Sequence, residues 1–86
     1  MMNELMKRLE ELARLEQIAN RIEAEYEAEP MSAEKEAAFD EAYAEEYAAF
    51  IAIAELIVKM TGGRVDIKTA REMVRTKRSD ILNLVA

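Results

Sequence analysis

The side chains able to do chemistry in this 86-residue chain are eighteen carboxylates and twelve Lys or Arg, with no His and no Cys. That set excludes thiolate and imidazole nucleophiles, zinc fingers, haem and iron-sulfur ligation, and disulfide staples. Paired carboxylates do acid and base work only when a pocket drives their pKa values apart, and no spacing here marks such a pair. Carboxylate-bridged metal sites in helical bundles use a Glu-x-x-His spacing that a histidine-free chain cannot supply, and no Asp-rich loop has EF-hand spacing. Ser32 and Ser79 have no histidine to activate them. Gly62, Gly63 and Arg64 follow no strand and lack the Gly-Lys-Ser/Thr ending of a phosphate loop, so they read as a helix terminator. No catalytic residue, metal site or cofactor is expected.

The charged residues are segregated. Residues 1 to 29 carry 8 acids and 4 bases, residues 30 to 60 carry 7 and 2, and residues 61 to 86 carry 3 and 6, so the net charge of −6 conceals a dipolar chain. Between positions 23 and 46 stand ten acids against one base, Lys35. Glu23, Glu25, Glu27, Glu29, Glu34, Glu36, Asp40 and Glu41 form the candidate partner-binding set, an acidic tip facing a basic protein surface. Four of them fall at the C-terminal end of a helix, where exposed carbonyls make negative charge unfavourable by about 0.3–1 kcal/mol per group before screening. Stability alone does not put them there. The competing reading is a solvated face. The opposite cluster, Lys68, Arg71, Arg75, Lys77 and Arg78, is the alternative candidate, a nucleic-acid-binding face. Against it, the interhelix turn lacks glycine and the apolar positions of a recognition helix fall out of register. A further competing use of Arg71, Arg75 and Arg78 is internal pairing with Glu55, Glu46 and Glu45.

Helices must position these groups. With 51% apolar and 35% charged residues but only two Gly and one Pro, the composition suits neither a disordered chain nor an all-β fold. Leu5, Leu9, Leu12, Leu15, Ala19, Ile22 and Tyr26 recur at steps of three or four and predict a first helix over 3–28. Asn3 is its expected cap, and Glu4 to Arg8 and Glu10 to Arg14 are i,i+4 pairs in the favourable order. Pro30 disfavours the helical conformation at Glu29 and stops the helix. Ser32 caps a second helix over 33–60, closed at Thr61, Gly62 and Gly63. From Tyr47 to Val58 nearly every side of that helix is apolar, so the C-terminal segment, a second copy, or both must complete its shell. Phe39, Tyr43, Tyr47 and Phe50 follow one another at helical steps and are expected to pack in the core, with an interface edge as the other use for the tyrosines. Asp66 caps a third helix over 67–78. Ser79 or Asp80 caps a last turn, unless one bent helix runs to the terminus.

The expected architecture is one all-α domain over 1–86, a long antiparallel hairpin completed by one or two short C-terminal helices, with a dimeric bundle as an option. The expected role is a non-catalytic interaction protein that regulates or inhibits a partner, the acidic tip occupying a basic surface, such as one that normally holds nucleic acid. Small phage or mobile-element inhibitors, anti-CRISPR and anti-restriction types among them, fit as a class. The alternatives are a nucleic-acid-binding regulator and a coiled-coil dimeriser. No secretory signal is evident, the longest apolar window spans about 12 residues where a membrane crossing needs about 20, and lack of cysteine favours the cytoplasm.

Overall fold

The computed structural model describes residues 2–28 and 32–85. Four helices follow in order: α1 (Met2–Ala28), α2 (Ala33–Met60), α3 (Ile67–Thr76) and α4 (Arg78–Val85). The described residues contain no strand, which makes the fold all-α. The bounds of α2 match the expected ones, because its ends are chemically marked. Ser32 Oγ accepts the Lys35 N–H at 3.2 Å, and Glu34 and Glu36 occupy the first turn. At the other end Gly62 and Gly63 adopt φ values of 61° and 84°, the left-handed region open to glycine. The Gly63 N–H then returns to the Val58 carbonyl at 3.0 Å. Buried Thr61 ties off the turn: its hydroxyl donates to the Ile57 carbonyl at 2.9 Å and accepts the Val65 N–H at 3.3 Å.

Asp66 caps α3 as expected, accepting the Thr69 N–H at 2.7 Å, and this bond holds its carboxyl below the usual aspartate range. The C-terminal segment resolves into two helices, with α3 ending at Thr76 rather than residue 78. Lys77 breaks the helix at φ −136°, ψ 47°. Neither Ser79 nor Asp80 caps α4, since both lie inside its first turn; the Lys77 carbonyl accepts the Asp80 N–H there. Asn3 likewise lies within α1, which begins at Met2, and is not its cap. Arg8 pairs with Glu4 at 3.1 Å as the spacing predicts. Arg14 instead pairs with Glu11, one residue closer than Glu10, its Nε donating to Oε2 at 3.1 Å. The predicted stop at Glu29 and Pro30 lies outside the described residues.

The first helix packs antiparallel on the second. Glu4 and Arg8 share a surface hollow with Glu55 and Lys59, while Leu12 and Glu16 face Tyr43 and Phe50. The main core draws Leu5 and Leu12 from α1, Ile53, Ala54, Leu56 and Ile57 from α2, Ala70 and Val74 from α3, and Ile81 from α4. The C-terminal helices thus supply the shell that the apolar half of α2 requires, although Phe50, Ile51 and Val58 stay half-buried. Beyond this core the hairpin continues as two helices, where Leu15, Ala19 and Ala42 are the buried residues among those described. The molecule measures 47 × 19 × 17 Å with a radius of gyration of 15.1 Å, where a globular chain of this length has about 12 Å. It is a four-helix base with a two-helix arm.

Candidate functional site

The boundary between base and arm is also an electrostatic boundary. At the base, carboxylates sit beside cations: Glu4 with Arg8, Glu11 with Arg14, and Glu16 with Arg78. Arg78 grips Glu16 through both guanidinium nitrogens at 2.5 and 2.8 Å, and its Nε donates to the Val74 carbonyl at 2.6 Å. One side chain therefore ties α4 to α1 and satisfies a carbonyl at the end of α3. The Glu16 hydrogen bond raises the Arg78 pKa above its ordinary value. Arg14 lies near Glu45, which adds to the larger effect of its bond to Glu11 in raising its pKa. Arg71, Arg75 and Arg78 do return along α2, and Arg78 passes near Glu46 as expected, but no ion pair joins the three to Glu55, Glu46 or Glu45. Arg78 takes Glu16 on α1, because the α3–α4 junction lies over the groove between α1 and α2. Arg75 stands over the Phe50 ring at 5.7 Å, and an Arg71 Nη2 donates to the Tyr47 hydroxyl at 3.3 Å.

Glu46 is left in a crowded position. Burial and then the nearby Glu16 charge push its pKa above the usual glutamate range, with Arg78 partly opposing them. A carboxyl whose folded pKa is raised opposes folding while ionised; the penalty is relieved as pH falls through the folded pKa and is gone below the unfolded one. Glu46→Gln is therefore expected to stabilise the fold at neutral pH by a few tenths of a kcal/mol, the size typical of partly exposed charges. Thermal melts of both proteins should converge as the pH approaches 4; a variant less stable at pH 7 would contradict this.

The candidate acids lie farther out. Glu23, Glu25 and Glu27 are exposed on the last turns of α1, and Glu34, Glu36, Asp40 and Glu41 are exposed on the first turns of α2. Glu29 lies outside the described residues. None of these seven forms an ion pair with a described residue. The arm also carries two bases, Arg21 and Lys35. Among the described residues no group of three or more acidic side chains is placed to hold a metal ion, and no helix is long and apolar enough to cross a membrane. In the alternative set, Arg71, Arg75 and Arg78 are engaged as above, while Lys68 and Lys77 are exposed.

The aromatic row departs from the expected core packing. Tyr43 is 44% and Tyr47 58% exposed, and Phe39 and Phe50 are half-buried. The rings contact one another along α2, Phe39 edge-on to Tyr43 at 4.5 Å and Tyr47 tilted on Phe50 at 6.3 Å. With Leu12, Glu16, Glu46, Arg75 and Arg78, three of them line an open, largely apolar groove of about 250 Å³. The reason is reach: α3 covers α2 as far as Phe50 and then ends. The pairing of Glu16 was missed by sequence reasoning, yet it left a signal. Glu16 follows Leu12 at four residues along the buried stripe, a position whose carboxylate needs a cation at the edge of a core.

No protein family, curated protein or solved structure matches the chain.

Proposed function

We propose that this protein is a non-catalytic interaction module, a small acidic regulator or inhibitor whose hairpin arm occupies a basic surface of a partner protein. The observation that carries this reading is a coincidence of two boundaries. The ion pairs among the described residues, Glu4 to Arg8, Glu11 to Arg14 and Glu16 to Arg78, lie at the four-helix base, and the seven described acids on the two-helix arm beyond it are exposed. A bare arm gains little from burial, and glutamates at the end of α1 oppose its dipole, so this arrangement costs stability and gains an unneutralised, projecting negative surface. Such a surface accelerates encounter with a positive patch and orients the arm on it. A groove that normally holds nucleic acid is one such patch, and occupying it excludes the nucleic acid. Internal use of Arg71, Arg75 and Arg78 favours the acidic end over the basic one as the working surface.

The test is affinity capture from a nuclease-treated lysate, with wild-type protein beside a variant carrying Glu25→Lys, Glu27→Lys, Glu34→Lys and Glu36→Lys. A partner held by the wild type and lost by the folded variant supports the reading. Equal capture by both rejects the arm as the surface.

A further inference from the structure

We propose that this chain forms a two-fold dimer in which the open face of α2 packs on the same face of a second copy, the arm of each lying beside α3 of the other. This goes beyond the reading of the arm as a partner-binding surface and does not depend on it. The first observation is shape. Ala70 and Val74 of α3 join the core of α2, and Arg75 stands over Phe50, whereas Tyr47 and Tyr43, farther along the same side, are 58% and 44% exposed. The face is therefore a step, with α3 as the ridge over one half and a recess over the other. A two-fold axis between Tyr43 and Tyr47 sets each ridge into the other copy's recess. That axis passes close to the middle of α2 (Ala33–Met60), so two molecules so related overlap along most of their length. A face 47 Å long and 17 Å wide has an outline of about 800 Å², the area each partner gives to a standard-size interface.

The second observation is the order of charge. Glu36, Asp40, Tyr43, Tyr47 and Phe50 follow one another on one side of α2 at steps of four, three, four and three. Exposed acids precede the tyrosines, and cations follow them, Arg71 on the Tyr47 hydroxyl and Arg75 over Phe50. The α3 hollow beyond carries three cations, Lys68, Arg71 and Arg75, against Glu72 alone. The groove between these ends is balanced, Arg75 and Arg78 against Glu16 and Glu46, so it selects neither sign of occupant. What the face as a whole selects is an occupant with both signs in the reverse order. In a two-fold interface residue i meets j and j meets i, so a surface whose charge reverses about its centre is complementary to its own copy. With the axis midway between the tyrosines, Tyr43 falls opposite Tyr47, and Asp40 falls opposite Phe50 and the guanidinium above it. A guanidinium lying over a ring keeps its N–H edges for a carboxylate. Tyrosines with a ring to bury and a wet edge suit the centre of such a contact.

The test is sedimentation equilibrium of the full chain over roughly 1–500 μM at low salt. The expected result is a reversible monomer–dimer equilibrium with no larger species, since a two-fold interface closes on itself. Asp40→Arg and Arg75→Glu should each weaken self-association at least about tenfold, because each places like charges together twice in its own dimer. An equimolar mixture of the two should recover association to within about threefold of wild type, because the mixed dimer restores opposite charges at both contacts. Tyr43→Ala/Tyr47→Ala, whose helical circular dichroism should be intact because both rings are exposed, should also weaken association at least about tenfold and decides the matter if Arg75→Glu fails to fold. A monomer at every concentration, growth beyond the dimer, undiminished association of the tyrosine variant, or a mixture of folded variants that recovers nothing overturns the proposal. A monomer that captures a protein partner through the arm overturns the dimer alone. A wild-type dimer beside undiminished capture by the four-site arm variant overturns the arm reading alone.

Discussion

Exchanging Glu25, Glu27, Glu34 and Glu36 for Lys is expected to abolish partner capture while leaving the fold within about 1 kcal/mol of wild type. Each exchange adds two units of charge, so the four together move the net charge from −6 to +2. The effect on stability should nearly cancel. Lys at positions 25 and 27 complements the carbonyl end of α1, whereas Lys at 34 and 36 opposes the N–H end of α2, each by about 0.3–1 kcal/mol. The effect on association has no such cancellation, because all four carboxylates are exposed on one arm, where acids outnumber the two bases Arg21 and Lys35. Electrostatic steering changes association rates by roughly 10- to 1,000-fold, and a reversed surface turns attraction into repulsion. Stopped-flow association with the captured partner should be at least about 100-fold slower for the variant at low salt. The wild-type rate should fall steeply as salt rises, because exposed charges are screened within about 8 Å at physiological ionic strength. A salt-independent wild-type rate would count against electrostatic capture.

The largest effect on folding is expected from Ile57→Ala. Ile57 is fully buried in a core to which every helix contributes, with Leu5 from α1, Ile53 from α2, Val74 from α3 and Ile81 from α4. Truncating a buried Ile removes its transfer free energy and leaves a cavity, together about 2–5 kcal/mol, and in this closely shared position about 3 kcal/mol is expected. A chain of this size holds roughly 4–13 kcal/mol in total. The melting temperature should therefore fall by about 12–24 °C. Ile67→Ala is the control: Ile67 is 43% exposed, and its truncation should change stability by less than about 0.5 kcal/mol. Equal losses at the two sites would mean that α3 and α4 do not close the core as described.

The helices were legible wherever a residue type enforces a local conformation. Ser32, Asp66 and the Gly62–Gly63 pair state their roles in isolation, since capping and left-handed turns involve only residues within a few positions. The break at Lys77 had no such mark: neither Gly nor Pro stands there, and the chain turns because Arg78 reaches Glu16 and the Val74 carbonyl. That contact joins positions 62 residues apart, and no periodicity along one helix reveals it. The aromatic row was misread for a related reason. Helical spacing shows that Phe39, Tyr43, Tyr47 and Phe50 share a face, but only the length of α3 decides how much of that face is covered. The acids of the tip were visible as a charge run. What the sequence did not show is that Arg71, Arg75 and Arg78 of the C-terminal helices turn to Tyr47, Phe50 and Glu16 rather than toward the described acids of the tip.

The most direct measurement is zero-length carbodiimide coupling of the captured complex, followed by mass-spectrometric mapping, because this chemistry joins only carboxylates and amines already in contact. The expected result is cross-links from Glu23, Glu25, Glu27, Glu34, Glu36, Asp40 or Glu41 to lysines of the partner. Cross-links confined to Lys68 and Lys77, reaching partner carboxylates while the arm stays unlabelled, would contradict the assignment of the arm as the working surface.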